Sequence, residues 1–402
     1  MHLLFISTHN FATNPRLVKE IKLALEAGFE VSVLCCEYSN WSRANNEKIK
    51  ADLLPHIHYY KVPGDRKPLI PWLMSSIYFK AAGILTRIFT TSTRLLSVAS
   101  NKRSWLLMQA LPKVKGKPDL VIAHNPGSFY PAQLFAKRNN IPFGIDLEDH
   151  HPGETNDPHE SGIMRRINMN VLPQAAYVST ASPLIAQYAK ADLQRPLQNE
   201  ISVLNYFSGK EFAAPANRAA DEPLKLVWFS QNISHGRGLE ELIPVVEQLN
   251  GLQLFLYGTT DAAFYEKWLK DKKNIVLLPA MPQQALHLEL GKYDVGLALE
   301  KPASNLNRDL CLTNKILAYY QAGLYILASE TQAQVQFVQK YPAHATLCSL
   351  DEKSLKNALM QLQHELDSIR SAAAERYRLA TTDSWEKEGA QLVHYWKKLT
   401  AQ

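Results

Sequence analysis

The sequence predicts an α/β protein with two Rossmann-like, doubly wound parallel sheets that face a central cleft. Short apolar runs alternate with helical stretches almost throughout the chain, which is the pattern of parallel strands joined by crossover helices. One polar segment interrupts this alternation and divides it into two similar halves. The length of 402 residues and the hydrophobic content of 46% are sufficient for two cores. The expected ligand site of such sheets lies beyond the carboxyl ends of the strands.

The first half covers residues 1–207 and begins with a strand and a well-signalled helix. Pro15 suits the first helical position, Asn14 can cap the helix, and Gly28 ends it. The predicted strands of this half are 2–8, 29–36, 119–125, 142–148, 175–181 and 200–205, and a further helix is predicted near 128–138.

The second half follows a predicted linker over 208–223, which is polar and rich in Ala, Pro and Asn. We expect a second domain over 224–380 and a C-terminal helical segment over 381–402. The predicted strands are 224–230, 252–258, 274–280, 293–300 and 325–329, and the predicted helices include 238–249, 261–272, 352–377 and 384–399.

Cysteine usage and hydropathy exclude several classes of protein. The four cysteines have no metal-ligand spacing, so we expect free thiols and no metal site. The N-terminus lacks the charged start and long apolar core of a signal peptide. No apolar run approaches the roughly 20 residues needed to span a bilayer. We therefore expect a cytoplasmic protein. The cysteines are Cys35, Cys36, Cys311 and Cys348.

Positive charge is concentrated in one stretch, because residues 66–118 contain ten lysines and arginines and no acidic residue. Lys80, Arg87 and Arg94 are spaced seven apart among apolar residues, so they would share one helical face. Two interpretations stay open: residues 66–103 contact an anionic membrane surface peripherally, or they form a solvated basic face on a helix that packs on its own domain. Nucleic-acid binding is not favoured, because no recognition pattern accompanies the charge.

The first loop of the second half has the features of an anion site. Ser230, Asn232 and Gly236 are small or polar and leave room for a ligand against the backbone. The helix that opens at Gly238 offers free N–H groups to an anion, and Arg237 adds a planar fork of donors suited to phosphate. Taken alone, the loop is equally consistent with a solvated arginine in an ordinary turn.

A second cation lies at an equivalent position of the same half. In the segment LTNKILAYYQAG, Lys315 falls in the first turn of a predicted helix that ends at Gly323. Thr313 and Asn314 can cap that helix. The helix dipole disfavours a cation there unless an anion lies beside it. Arg237 and Lys315 therefore predict a clamp for a diphosphate, with Asn314 beside it.

Titratable groups are dense after one strand of the first half. They are Glu148, Asp149, His150 and His151, and they are candidates for general acid–base work or for orienting a hydroxyl nucleophile. A metal site ranks below these roles, because adjacent histidines point in different directions.

The neighbouring loops of the first half supply the rest of a predicted acceptor or sugar wall. His124 and Asn125 follow one strand, although a lone histidine is more often structural than functional. His9, Asn10 and Arg16 follow the first strand.

Three segments together resemble GT-B-fold glycosyltransferases, and above all family 4 of the retaining, nucleotide-sugar-dependent enzymes. NISHGRGLEELI resembles the phosphate loop of that family, and LTNKILAYYQAGLYILAS resembles its segment LPNKLFEYLACGKPVIAS. PDLVIAHNPGSFYPA resembles its first-half PDVIHAH strand with the following helix. The resemblance covers essentially the whole chain.

The resemblance implies a role for each domain. Arg237 and Lys315 would bind the diphosphate of a nucleotide sugar held by the second domain. The first domain would bind the acceptor, and residues 381–402 would form a helix that packs back on it.

Two positions depart from the family pattern. Ala318 stands where the family has a glutamate that holds the donor ribose, and Glu300 or Asp309 would have to substitute for it. Glu148 stands where the family has a histidine near the reacting sugar, whereas Asp149 is retained.

These features predict a hexosyltransferase that moves a sugar from a nucleotide diphosphate sugar to a hydroxyl of a saccharide acceptor. We expect the acceptor to be lipid-linked, in surface polysaccharide or glycolipid biosynthesis. No metal or other cofactor is expected, since Arg237 and Lys315 would supply the positive charge. A nucleotide-sugar epimerase and a non-catalytic binding subunit with the same fold are the alternatives.

Overall fold

The computed structural model describes residues 1–39, 42–88, 92–219, 221–301 and 305–401. The chain forms two compact units, each with its own parallel sheet. The first unit contains residues 1–204 and the chain from Gly389 onward, and the second unit contains Asn205–Glu388. Two doubly wound α/β sheets are therefore confirmed. None of the described helices is long and apolar enough to cross a bilayer.

The first unit has a sheet of seven described strands, and residues 1–204 contribute eight described α-helices to it. The strands are β1 (His2–Ser7), β2 (Glu30–Glu37), β3 (His58–Pro63), β4 (Leu120–His124), β5 (Phe143–Leu147), β6 (Tyr177–Thr180) and β7 (Glu200–Ser202). The helices are α1 (Pro15–Glu26), α2 (Arg43–Leu53), α3 (Leu69–Leu85), α4 (Thr93–Ser100), α5 (Lys102–Ala110), α6 (Pro126–Asn139), α7 (Pro158–Val171) and α8 (Pro183–Leu193). All strand pairs are parallel.

The strand order of this sheet is β3-β2-β1-β4-β5-β6-β7. After β3 the chain crosses to the other side of β1 and begins β4, so the topological switch point lies between β1 and β4. Register places Ser7 beside His124, and His124 beside Asp146, at the carboxyl ends of three neighbouring strands. Ligands of doubly wound sheets bind at this position.

The first strand and helix form for the reasons that the sequence indicates. Leu3, Leu4, Phe5 and Ile6 are all fully buried, as expected of a central strand with helices on both faces. The side chain of Asn14 accepts a hydrogen bond from the backbone N–H of Leu17 at 2.9 Å, which confirms the predicted cap of α1.

The second unit has a sheet of six described strands. They are β8 (Leu224–Ile233), β9 (Leu252–Thr260), β10 (Ile275–Leu278), β11 (Val295–Ala298), β12 (Tyr325–Ala328) and β13 (Ala345–Leu347). Its helices are α9 (Leu239–Gln248), α10 (Ala262–Phe264), α11 (Gln283–Leu290), α12 (Leu306–Leu310), α13 (Asn314–Gln321), α14 (Gln332–Lys340), α15 (Glu352–His364), α16 (Leu366–Ser371) and α17 (Ala373–Ala380). The order is β10-β9-β8-β11-β12-β13, so the switch point lies between β8 and β11.

Helix α13 is seated on β11 by a close contact between a glycine and an aromatic ring. A Cβ atom at Gly296 would lie 2.2 Å from the ring of Tyr319, so only glycine allows this approach. The helix begins at Asn314, and Thr313 occupies the N-cap position. The predicted capping bond from Thr313 is wrong, because its side chain makes none.

The segment predicted as a linker packs on the second unit. Arg218 lies 2.9 Å from the buried carboxylate of Asp294, and Arg370 donates a hydrogen bond of 2.8 Å to the carbonyl of Ala219. Phe212 is buried. These described residues therefore contribute to the core of the unit that they precede.

The last helix, α18 (Trp385–Thr400), joins the first unit from Gly389 onward. The indole N–H of Trp396 donates to the hydroxyl of Tyr177 at 2.9 Å. The Trp396 ring also makes edge contacts with Phe5 and Phe29 at centroid distances of 6.1 and 6.0 Å. The buried side chain of Trp396 thus packs the C-terminal helix against the first sheet.

Candidate active site

Lys315 lies at the switch point of the second unit and pairs with an anion of the chain itself. Its Nζ is 2.7 Å from Oε1 of Glu300, the second residue after β11. Lys315 is only 8% exposed, and Glu300 is buried. The guanidinium of Arg308 lies 3.6 Å from the other oxygen of Glu300. The chain itself thus supplies a carboxylate beside Lys315, and the diphosphate clamp stays a prediction.

Two buried polar groups near the start of α13 make no hydrogen bonds within the described chain. They are the hydroxyl of Thr313 and the indole N–H of Trp228. Lys315 Nζ lies 5.5 Å from the centre of the Trp228 ring, which is a favourable cation–π position. An unsatisfied buried donor costs about 1–3 kcal/mol, so a ligand that reached these groups would gain from pairing them.

The loop after β8 leaves a helix N-terminus open. Gly236 and Gly238 both have positive φ, of 79° and 80°, and Gly238 takes the N-cap position of α9 without a side chain to cap it. The half-buried guanidinium of Arg237 makes no ion pair or hydrogen bond with the described parts of the chain. Arg237 and the first N–H groups of α9 are thus available to an anion.

Glu240 already uses one donor of this loop. Its carboxylate accepts a hydrogen bond of 2.5 Å from the N–H of Gly236 and lies 3.4 Å from His235 Nδ1. Burial opposes its ionisation, but the Gly236 bond keeps the pKa of Glu240 below its ordinary value.

Three other residues predicted for this site, on β8 and at the start of α13, have surroundings that differ from the prediction. Strand β8 runs to Ile233, so Ser230 and Asn232 lie on its last part; the predicted strand end at residue 230 is wrong. An irregular register between Phe229 and Asn232 lengthens the strand. Asn314 is exposed and accepts a hydrogen bond of 2.9 Å from the side chain of Asn205.

The carboxylates considered for ribose recognition are both engaged. Glu300 binds Lys315, as described above. Asp309 accepts a hydrogen bond of 2.8 Å from the backbone N–H of Gln332, the first residue of α14. Ala318 is fully buried in α13. In this structure, neither carboxylate is free to replace a glutamate at position 318.

The switch point of the first unit holds a buried network of charges. His124 Nε2 lies 3.2 Å from Glu20, and His124 Nδ1 lies 3.5 Å from Asp146. Arg16 lies 3.0 Å from Asp146 and 3.4 Å from Glu20, and it donates to the carbonyl of Val203 at 2.7 Å. The prediction that Arg16 faces a ligand is therefore wrong, because its guanidinium is buried in the core and paired there.

This network keeps His124 protonated. Burial lowers the pKa of His124, but the charge of Glu20 and the bonds to Glu148 and Glu20 raise it to about 10. Glu20, His124 and Asp146 each have one potential metal-ligand atom within 4.8 Å of the others. Arg16 already pairs with both carboxylates, so the arrangement fits an ion-pair network.

Glu148 connects the buried network with the loop that follows β5. Its Oε1 lies 3.2 Å from His124 Nδ1, and its side chain is partly exposed. Burial raises the pKa of Glu148 above its ordinary value, although the His124 imidazolium opposes the shift. Asp149, the next residue, is half-buried. A carboxyl group with a raised pKa at a strand end is a candidate for proton exchange with a hydroxyl.

The two histidines of this loop point to different elements, as predicted for adjacent residues. His150 is buried and bonds Asp192 of α8 at 2.9 Å, and Arg165 lies 3.1 Å from the same carboxylate. His151 Nδ1 bonds Glu154 at 2.9 Å. Burial opposes protonation of His151, but the Glu154 bond raises its pKa. Its Nε2 is buried and makes no hydrogen bond within the described chain.

His9 lies near His151, and both belong to loops at the same sheet edge. Burial, together with the charges of Arg103 and His151, lowers the pKa of His9 to about 4, so its ring is neutral at pH 7. Asn10 and Asn125 instead accept hydrogen bonds that stabilise the loops at this sheet edge. Asn10 caps the turn at Thr13, and Asn125 accepts bonds from Ser7 and Asn14.

The structure thus brings together Glu148, Asp149 and His151 with His9, and separately Lys315 with Thr313. Several partners of these groups were not predicted. Glu20 has a signal in the sequence, because it follows Arg16 by four residues on one helix face. Asp146 has none, because it lies inside an apolar strand. The partners not predicted as site residues are Glu20, Asp146, Asp192 and Trp228.

Comparison with known proteins finds similarity in structure and none in sequence. No protein-family model matches the sequence, and no curated protein matches it either. Sucrose-phosphate synthase from Thermosynechococcus elongatus superposes with a TM-score of 0.69 at 14% identity, over 100% of this chain and 99% of that chain. HepE from Anabaena, solved in complex with UDP, gives 0.66 at 12% identity over 99% and 100%. The lipopolysaccharide outer core galactosyltransferase WaaB gives 0.60 at 14% over 99% and 100%.

These neighbours are GT-B glycosyltransferases, and the similarity over the full length of both chains shows that this chain has the GT-B fold. The predicted fold is therefore confirmed.

Proposed function

We propose that this chain is a glycosyltransferase that transfers a hexosyl group from a nucleotide diphosphate sugar to a hydroxyl of a saccharide acceptor. The observation that carries the proposal is the switch point of the second unit, where Arg237 and Lys315 lie at the starts of α9 and α13. HepE, which shares the fold, was solved in complex with UDP and with UDP-glucose.

The diphosphate would be bound by groups that the chain leaves available. Arg237 would donate to phosphate oxygens in a bidentate manner, because it has no other partner in the described chain. Lys315 would exchange part of its bond to Glu300 for one to the diphosphate. Charge that develops on the leaving diphosphate would be stabilised by these cations and by the N–H groups of α9 and α13. We propose that these groups suffice without a metal or other cofactor.

The loop residues of the first unit would act on the acceptor side. Glu148 would exchange a proton with the acceptor hydroxyl, since its pKa is raised by burial. Asp149 and His151 would orient sugar hydroxyls, and His9 would offer a neutral ring nitrogen. We infer a retaining, family 4-like reaction, a lipid-linked acceptor and a cytoplasmic site of action in surface polysaccharide or glycolipid synthesis, all on the resemblance of the sequence segments.

Arg237→Ala is the cleanest test, because it removes a proposed ligand of the donor without breaking a contact within the described chain. We expect an unchanged melting temperature without ligand and donor affinity lowered by about tenfold or more. The matched control is Lys292→Ala, which removes an exposed cation of the same unit.

Binding should be measured by thermal shift with UDP-, GDP-, ADP- and CMP-linked sugars, because a ligand of the native state raises the melting temperature. Transfer should then be followed with and without saccharide acceptors. Conversion of donor without acceptor would indicate an epimerase. Equal shifts for Arg237→Ala and Lys292→Ala, or no shift with any donor, would refute the proposed donor site.

A further inference from the structure

Helix α3 turns its small residues inward. Ser75, Ala82 and Thr86, at its C-cap, are buried. Ala82 packs in a small cluster with Val98 and Met108. The hydroxyls of Ser75 and Thr86 bond carbonyls of α3 itself. Because the inward-facing residues are small and their hydroxyls are hydrogen-bonded within α3, this helix buries little apolar surface within the first unit.

The outward side of α3 is aliphatic. Ile70, Ile77 and Ile84 are 75%, 51% and 65% exposed, and their spacing of seven places them on one helix face. Leu69 and Leu73 are exposed on the same side. A surface helix of a globular protein normally has the opposite arrangement. An exposed apolar surface of this extent marks an interaction site.

Lys80 and Arg87 lie beside this aliphatic face. Arg94 belongs to the next helix, α4, so the prediction that these three cations share one helical face is wrong. Lys80 follows Ile77 by three residues and precedes Ile84 by four, so it is their neighbour on the helix surface. Arg87 lies in the turn directly after α3, where its backbone N–H bonds the carbonyl of Ile84 at 3.1 Å. Neither Lys80 nor Arg87 pairs with any residue of the described chain. No acidic residue occurs in residues 66–118 to neutralise them.

Two further cations lie at the start of the helix around an aromatic ring. Arg66 and Lys102 lie 5.5 and 5.3 Å from the centre of the Trp72 ring. Tryptophan and flanking cations are the residues that favour the boundary between lipid headgroups and acyl chains. Lysine and arginine can keep their charges among headgroups while their stems lie along apolar surface.

We propose that the outer face of α3 docks on an anionic lipid surface, with Ile70, Ile77 and Ile84 entering the upper acyl region and Lys80 and Arg87 binding lipid phosphates. An anionic lipid surface is the favoured partner because its charge is complementary to that of Lys80 and Arg87. A second copy of the chain would bring the same unpaired cations opposite each other across a two-fold axis. The docking does not depend on the proposed donor site, because every residue of the docking face belongs to the first unit.

The test is flotation of the full chain with vesicles. Phosphatidylcholine vesicles with about 30 mol% phosphatidylglycerol should bind the protein, and pure phosphatidylcholine vesicles should bind it at least about tenfold more weakly, because each cation near an anionic surface adds to binding. Binding should weaken between about 0.1 M and about 1 M NaCl, since the Debye length falls from about 10 to about 3 Å.

One double variant alters the aliphatic residues of the face, and another reverses its cations. I77E/I84E should reduce binding more than about tenfold, because two aliphatic side chains no longer partition into the acyl region and two carboxylates face an anionic surface. The control L288E/M360E changes two exposed apolar residues of the second unit and should bind like the unaltered chain. K80E/R87E should reduce binding by about thirtyfold or more and flatten its salt dependence.

All variants change exposed residues, so their melting temperatures should match that of the unaltered chain. Three results would overturn the proposal: no vesicle binding, equal loss in I77E/I84E and L288E/M360E, or self-association abolished by I77E/I84E with no lipid binding. Arg237→Ala should bind vesicles normally, and I77E/I84E should retain the thermal shift with donor, so a failure of docking and a failure of the donor site are distinguishable.

Discussion

Glu300→Gln isolates the electrostatic role of Lys315. The two groups lie 2.7 Å apart, and their side chains are 4% and 10% exposed. Removal of one partner of a buried ion pair costs about 3–5 kcal/mol, because the other charge is left uncompensated. Glutamine keeps an acceptor oxygen for Nζ, so we expect a loss of about 3 kcal/mol, at the lower end of that range. For a unit of this size, the melting temperature should fall by about 6–12 °C.

The same substitution should strengthen binding of a diphosphate. Lys315, Arg308 and Glu300 together have a net charge of +1, because two cations oppose one anion, and Glu300→Gln raises it to +2. One unit charge about 5 Å from a phosphate contributes about 3 kcal/mol at an effective dielectric constant of 20. After screening by solvent and salt, we expect donor affinity to rise by about tenfold or more.

The assay is a thermal shift of the unaltered chain, E300Q and the control E289Q, each with and without UDP. Glu289 is a surface carboxylate that pairs with Lys292, so its loss should change neither quantity. E300Q should melt lower without UDP and should show a larger UDP-induced increase than the unaltered chain. If E300Q is destabilised but its UDP-induced increase is equal or smaller, the diphosphate does not meet Lys315, and the reasoning is refuted.

Two further predictions concern stability. His124 has its pKa raised from 6.5 to about 10 in the folded chain, so its stabilising contribution is complete below pH 6.5 and is lost as pH rises through about 10. Urea unfolding across this range should show a falling free energy, and His124→Gln should reduce that slope; an unchanged slope would contradict the ion-pair network. Gly238→Ala should cost about 1–3 kcal/mol, because φ is 80° and the new Cβ would lie 3.0 Å from Leu299 Cβ. Gly236→Ala has a similar φ but open space, so it should cost less; equal losses in urea unfolding would show that the Leu299 contact is immaterial.

Much of the fold could be predicted because its signals are local. The cap at Asn14 and the start of α13 at Asn314 depend on residues within one or two turns. The extension of β8 to Ile233 could not be predicted in the same way. It requires pairing with β9, where Gly258 lies so close to the carbonyl of Ser230 that a Cβ would be 2.5 Å from it.

The partners of the predicted site residues depended on contacts distant in sequence. Lys315 and Glu300 are separated by 15 positions, and only the seating of α13 on β11 brings them together. His150 and Asp192 are separated by 42 positions, which turns a predicted catalytic histidine toward α8. Arg16 was open to prediction, because the i,i+4 pair with Glu20 is visible in the helix. The pair alone does not show whether this face of the helix is buried against the sheet or lines a ligand site.

The two switch points differ in how completely the chain neutralises its own charges. In the first unit, Arg16 and His124 face three carboxylates, all within 3.5 Å of a cationic nitrogen. An additional anion there would meet an excess of negative charge unless Glu148 were protonated. In the second unit, the carboxylate of Glu300 pairs with two cations, those of Lys315 and Arg308. Arg237 has no partner within the described chain. The balance therefore favours an anionic ligand in the second unit, and it favours a neutral hydroxyl, as in a saccharide, beside Glu148 in the first.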